Sequence, residues 1–146
     1  MRLNAKLLCK TADEDTKEKL IEKDKNEDYG MEAIFDLHNI RSELITVERI
    51  RRFASDLCDK ISMEKGPAFT WGTDSNKDEM KNPKAMGISH LQFVHSSSIT
   101  MHCLDKIGKV FINIFSCKSF DDKIARDFVI KTWGGDIVSE HVITRK

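Results

Sequence analysis

Residues 87–117 read GISHLQFVHSSSITMHCLDKIGKVFINIFSC and gather three histidines, a run of serines at 96–98 and two cysteines. These side chains serve metal ligation, nucleophilic catalysis and proton transfer. As metal ligands they are poorly arranged. His90 and His95 are separated by an odd number of residues and point to opposite faces of one regular strand, with His102 on the next strand, so no metal site is expected. Ser97, His102 and Asp105 have the residue types of a hydrolase triad. No nucleophile elbow surrounds Ser97, however, and neighbours so close in sequence rarely build that geometry. Walker, G-x-G-x-x-G and H-E-x-x-H patterns do not occur.

The segment has a second kind of order. Gly87-Ile88-Ser89 is followed by Ser96-Ser97-Ser98, then Ile99-Thr100-Met101-His102, then Phe115-Ser116-Cys117. Eight residues separate Ser89 from Ser97, five separate Ser97 from His102, and twenty separate Ser97 from Cys117. A G-x-x-x-x-x-D-L strand (Gly30 to Leu37) and a helix precede it. In spacing and element order the chain from Gly30 onward resembles the short, prokaryotic-type, pyruvoyl-dependent S-adenosylmethionine decarboxylases. That family has Glu and His where Ser96 and Ser98 stand, and usually Asp where Asn113 stands.

The resemblance implies a self-processing enzyme. Ser97 Oγ would attack the Ser96 carbonyl, and β-elimination from the resulting ester would cut the chain between 96 and 97. The new fragment would begin with a pyruvoyl group derived from Ser97, which forms a Schiff base with the substrate amine and acts as the electron sink. By the same resemblance His102 and Ser89 assist processing, His102 by proton transfer, and Cys117 is the proton donor in catalysis. The implied substrate is S-adenosylmethionine and the implied role is polyamine (spermidine) biosynthesis, with no metal. Two alternatives stay open: an unprocessed, non-catalytic relative that binds a nucleoside ligand or a partner, and a pyruvoyl decarboxylase of another amino acid such as arginine.

The elements that must position these residues are legible as periodicities. Met31, Ala33, Phe35 and Leu37 alternate as a strand does. Thr46 is placed to cap a helix whose stripe is Val47, Ile50, Phe53, Ala54, Leu57, Cys58 and Ile61, ended by Gly66-Pro67. Residues 67–87 read as a long surface loop with Trp71 as a packing anchor. Strands follow at Ser89–His95, Ile99–Leu104 and Lys109–Cys117, the last apolar on both faces apart from Asn113 and therefore central. Ser119 is expected to cap a helix through Trp133, stopped by Gly134-Gly135, before a final strand at Ile137–Thr144. The alternation puts His102 with Thr100, and Cys117 with Asn113, on polar faces that border one site. The expected fold is α+β: a two-layer sandwich, mostly antiparallel, with two helices on one face. The other face needs cover, which points to a homodimer.

Composition sets the remaining bounds. The 146 residues suit one domain, read as residues 30–146, preceded by a leader at 1–29. Thirteen of the nineteen residues at 10–28 are charged, the pattern of a solvated helix or a partly disordered leader. Basic and acidic residues balance at 24 each, so the phosphate-neutralising excess of a nucleic-acid binder is missing. No apolar run approaches a membrane span, and the four cysteines have no C-x-x-C spacing. The expectation is a cytoplasmic protein that binds neither nucleic acid nor membrane.

Overall fold

The computed structural model describes residues 14, 16–19, 28–72 and 82–146. Residues 14 and 16–19 are helical; apart from Asp28 and Tyr29, the rest of the charged leader lies outside the described residues. The elements run β1 (Gly30–His38), α1 (Val47–Lys60), β2 (Lys65–Gly72), β3 (Ile88–Val94), β4 (Ser97–Leu104), β5 (Lys109–Ser116), α2 (Asp122–Trp133) and β6 (Asp136–Arg145). One six-stranded sheet has the order β2-β3-β4-β5-β1-β6, and every neighbouring pair is antiparallel. This is the expected α+β sandwich.

Alternation sends one set of side chains under the helices. Ala33, Phe35 and Leu37 of β1 meet Val110, Ile112 and Ile114 of β5 and Ile99, Met101 and Cys103 of β4, all buried. The helices close this layer with Ile50, Phe53, Leu57, Val129 and Trp133. The Phe53 ring stacks on Phe128 at 5.3 Å and meets Trp133 edge-on at 5.5 Å, so one aromatic joins the two helices. Thr46 caps α1 as read, its Oγ1 accepting from the Arg49 amide at 3.2 Å.

Four expectations are corrected. The loop at 67–87 is a strand, β2, over its first part. Pro67 is tolerated because β2 is an edge strand and its register with β3 shifts between Lys65 and Ala68. The same strand shows that α1 stops earlier than Gly66-Pro67: it ends at Lys60, where Ser62 turns to positive φ and the Met63 amide donates to the Cys58 carbonyl. Trp71 is no packing anchor within the chain, being 80% exposed. The cap of α2 is Asp121 rather than Ser119; its carboxylate accepts from the amides of Lys123 and Ile124, and it follows Phe120, which packs against the core.

The opposite sheet face is the one turned away from α1 and α2. Ser89, Leu91, Phe93, Thr100, His102, Phe111, Asn113 and Phe115 lie on it by alternation with the buried set. Two glycines shape its ends. A Cβ on Gly30 would overlap the Ser116 carbonyl oxygen and the Cys117 backbone, so only glycine lets β1 lie against that corner. Gly87 has φ +147° and its missing Cβ would strike the Cys103 carbonyl, which explains a glycine two residues before Ser89.

Candidate active site

The hairpin between β3 and β4 builds the site. Its turn is only His95 and Ser96, so Val94 pairs with Ser97, and residues equally far from the turn face each other. Ser89 thereby stands opposite His102, and Ser89 Oγ lies 2.8 Å from His102 Nδ1. His102 is partly buried on the open face, next to Thr100.

At the turn itself, Ser96 has φ +56°, a left-handed conformation that costs a non-glycine residue about 1–2 kcal/mol. The peptide bond from Ser96 to Ser97 is the one expected to rearrange, so the strained residue supplies the carbonyl under attack. The Ser97 hydroxyl is held from the far side: its Oγ accepts from the Cys117 amide at 3.0 Å. A donor to that oxygen favours negative charge on it, which is the direction a nucleophile requires. Cys117 follows directly on β5 and is partly buried.

The four residues thus form two pairs, Ser89 with His102 and Ser97 with Cys117. The two pairs do not meet within one chain. Ser97 and His102 sit at opposite ends of β4, five residues or about 16 Å apart. They also differ in face. Ser97 has the parity of the buried Ile99, Met101 and Cys103, whereas His102 is on the open side. This separation also dismantles the hydrolase triad. The histidines likewise disperse: His90 is buried under the helices, His95 is exposed in the turn, and His102 is on the open face. Among the described residues no group of three or more His, Cys, Asp or Glu is placed to hold a metal ion.

Between the two pairs runs a polar belt. Thr100 pairs with Asn113, and Asn113 Nδ2 donates to Glu32 Oε1 at 3.3 Å; Glu32 is in turn bonded to Arg145. Thr100 and Asn113 therefore share the face that alternation assigned them. Sequence reasoning missed the aromatic border. Phe69, Trp71 and Phe93 are 64%, 80% and 41% exposed, and Trp71 pairs with Ser89. Phe69 meets Phe93 edge-on at 6.3 Å. The Phe-Thr-Trp run of β2 was the available signal, because aromatic and β-branched residues favour strands.

Cys58 and Cys103 are both buried in the core. Burial pushes the Cys103 thiol up to about 12 and the Cys58 thiol up to about 11, so both stay protonated and inert at neutral pH. No helix among the described residues is long and apolar enough to cross a membrane.

Comparison with known proteins bears on the whole arrangement. No curated protein matches the chain significantly. Among solved structures, the adenosylmethionine decarboxylase from Aquifex aeolicus VF5 is similar in fold. It has a TM-score of 0.66 and 17% identity, over 82% of this chain and 92% of that one. A family model for S-adenosylmethionine decarboxylase matches residues 31–146, a span that begins inside β1, takes in both residue pairs and ends with the last residue. With its sheet order, its strained hairpin and nearly all of its described residues inside that match, the chain belongs to the S-adenosylmethionine decarboxylase family.

Proposed function

We propose that the chain is a self-processing, pyruvoyl-dependent decarboxylase of S-adenosylmethionine that serves polyamine (spermidine) biosynthesis in the cytoplasm. The observation that carries this reading is the turn at 95–96. The residue whose carbonyl would be attacked is left-handed and strained, and the attacking hydroxyl is tethered to the Cys117 amide. These features suit formation of the prosthetic group from Ser97. Ser97 Oγ adds to the Ser96 carbonyl and the C–N bond breaks, giving an ester and a free amine at residue 97. Loss of the Cα proton then expels the Ser96 carboxylate. The dehydroalanine left behind isomerises and takes up water, releasing ammonia and leaving the keto cap. That cap supplies an electron sink for the loss of carbon dioxide. The role of Cys117 is to return a proton from Sγ, and that of the aromatic border is to stack the purine of the substrate.

The separation of the two pairs supports a homodimer whose sites are shared. A two-fold axis across the middle of β4 exchanges its ends, so a second copy laid on the open face brings its Ser89 and His102 to the end of the sheet where the β3–β4 turn carries Ser97 and β5 leads into Cys117. Exposed Phe69, Trp71 and Phe93 would then be covered. In this reading His102 moves protons for the partner's Ser97 rather than for its own.

Release of labelled carbon dioxide from carboxyl-labelled S-adenosylmethionine tests the activity, and Ser97→Ala must abolish it. Co-expression of Ser97→Ala with His102→Ala chains tests the sharing. Each alone is inactive, whereas mixed dimers regain one intact site. Failure of the mixture to recover activity rejects the shared site. Faster turnover of arginine than of S-adenosylmethionine rejects the substrate.

A further inference from the structure

Strand β2 is held to the protein in an unusual way. Seven of its eight residues are exposed, and only Thr70 is partly buried. Apolar burial therefore contributes little to fixing it, and the ladder to β3 is supplemented by side-chain ties. Gln92 Nε2 donates to the Gly66 carbonyl at 2.9 Å, and Lys65 Nζ reaches Asp59 at 2.8 Å. Both ties act at the start of the strand. Near its other end two ties meet at one residue: Thr70 Oγ1 lies 2.9 Å from His90 Nδ1 and accepts from Arg51 Nε at 2.9 Å.

His90 is an expensive residue for this task. It is only 3% exposed, and among the described residues its Nε2 has no hydrogen-bond partner. If Thr70 donates to Nδ1, the proton sits on an orphaned Nε2; if His90 donates instead, Nε2 is an orphaned acceptor. Either tautomer leaves a buried polar atom unsatisfied, which destabilises the fold. A leucine would fill the same place under α1 without that cost. What histidine adds is the bond to Thr70. The register shows where that bond acts: Thr70 pairs with His90, and the next pair along is Trp71 with Ser89, the partner of His102.

We propose that His90 is a positioning residue: through Thr70 it fixes the end of β2 so that Trp71 stands beside the Ser89–His102 pair. The proposal rests on reading the open face as the substrate site. It goes beyond that reading by assigning substrate affinity to a side chain on the opposite, helix-covered face. His90 itself touches no substrate. Its effect is on where the aromatic border lies.

The experiment compares Thr70→Val, His90→Leu, the double variant and His90→Asn, in which the amide oxygen keeps an acceptor near the Nδ1 position. Loss of the bond raises KM for S-adenosylmethionine about five-fold, the weight of one hydrogen bond, with kcat within about two-fold. The double variant is no worse than Thr70→Val alone, because Thr70→Val already removes the bond to His90 along with the one from Arg51. His90→Asn recovers most of the affinity, and His90→Leu melts no lower than the parent. Hydrogen exchange of the Phe69 and Trp71 amides quickens in Thr70→Val and in His90→Leu. Additive effects of the two single variants, a loss confined to kcat, or unchanged exchange in β2 overturns the proposal. If the parent chain does not turn over S-adenosylmethionine, the substrate reading fails instead. Exchange in β2, and binding of 5′-methylthioadenosine as a purine probe, still decide the positioning role.

Discussion

Replacing Ser96 by glycine isolates the strain at the turn. Ser96 has φ +56°, and a serine held there costs about 1–2 kcal/mol that glycine does not incur. Glycine loses about 0.5–1 kcal/mol more backbone entropy on folding, so the variant precursor is more stable than the parent by at most about 1.5 kcal/mol. The cleavage rate responds differently, because unfolded-chain entropy does not enter it. If about 1 kcal/mol of strain is released as the Ser96 carbonyl becomes tetrahedral, removing it slows processing about five-fold. The assay is a pulse of cell-free translation followed by a time course of full-length chain and fragments. Ser96→Gly should process slowly but to completion, since the nucleophile and the Cys117 amide are untouched. A variant that cleaves as fast as the parent, or faster, refutes the idea that the left-handed turn drives the reaction.

Three further outcomes follow from the same geometry. Phe53→Ala removes the ring that joins α1 to α2 and should cost about 3–5 kcal/mol of stability, read from denaturant unfolding; a loss under about 1 kcal/mol would mean the helices are held by other contacts. Alkylation at pH 8 should modify Cys117 before Cys103 and Cys58, whose thiols are raised to about 12 and about 11, and peptide mapping that finds Cys103 labelled first would contradict their burial. Burial first, and Arg51 second, lower the pKa of His90 below its ordinary 6.5. Folded His90 therefore refuses a proton that the unfolded chain accepts, and stability falls as pH drops below about 6.5 toward the lowered folded value. His90→Leu should flatten that part of the Tm profile between pH 6.5 and 5, and a profile unchanged by the substitution would assign the fall to other groups.

Much of the fold could be read from periodicity because its central elements are buried on defined faces. β1 alternates at Ala33, Phe35 and Leu37, β5 is apolar on both faces, and α1 carries an apolar stripe that Thr46 caps. β2 was hidden because it is an edge strand exposed along nearly its whole length, with a glycine and a proline at its start. The cap of α2 was misplaced by two residues because Ser119 and Asp121 are both good capping types and the carboxylate won two amides.

The residues of the candidate site were named from the sequence, but their grouping depends on the hairpin. A two-residue turn at His95–Ser96 suffices to set Ser89 opposite His102, since each lies five residues from the hairpin's closing pair. The odd separation that parts His90 from His95 applies equally to Ser97 and His102, which is why four residues resolve into two pairs. The assembly proposed across a second copy rests on symmetry, which one chain's pattern does not carry. The αL conformation of Ser96 likewise depends on the turn's length and twist, since serine has no preference for it.

Intact-mass measurement of the purified chain, with and without phenylhydrazine, addresses the central claim most directly. Self-processing predicts two fragments of roughly 11 and 6 kDa, from about 96 and 50 residues at ~110 Da each, divided between Ser96 and Ser97. The smaller fragment should gain the mass of one hydrazone. A single species of 16.8 kDa that carries no hydrazone after prolonged incubation would contradict the account.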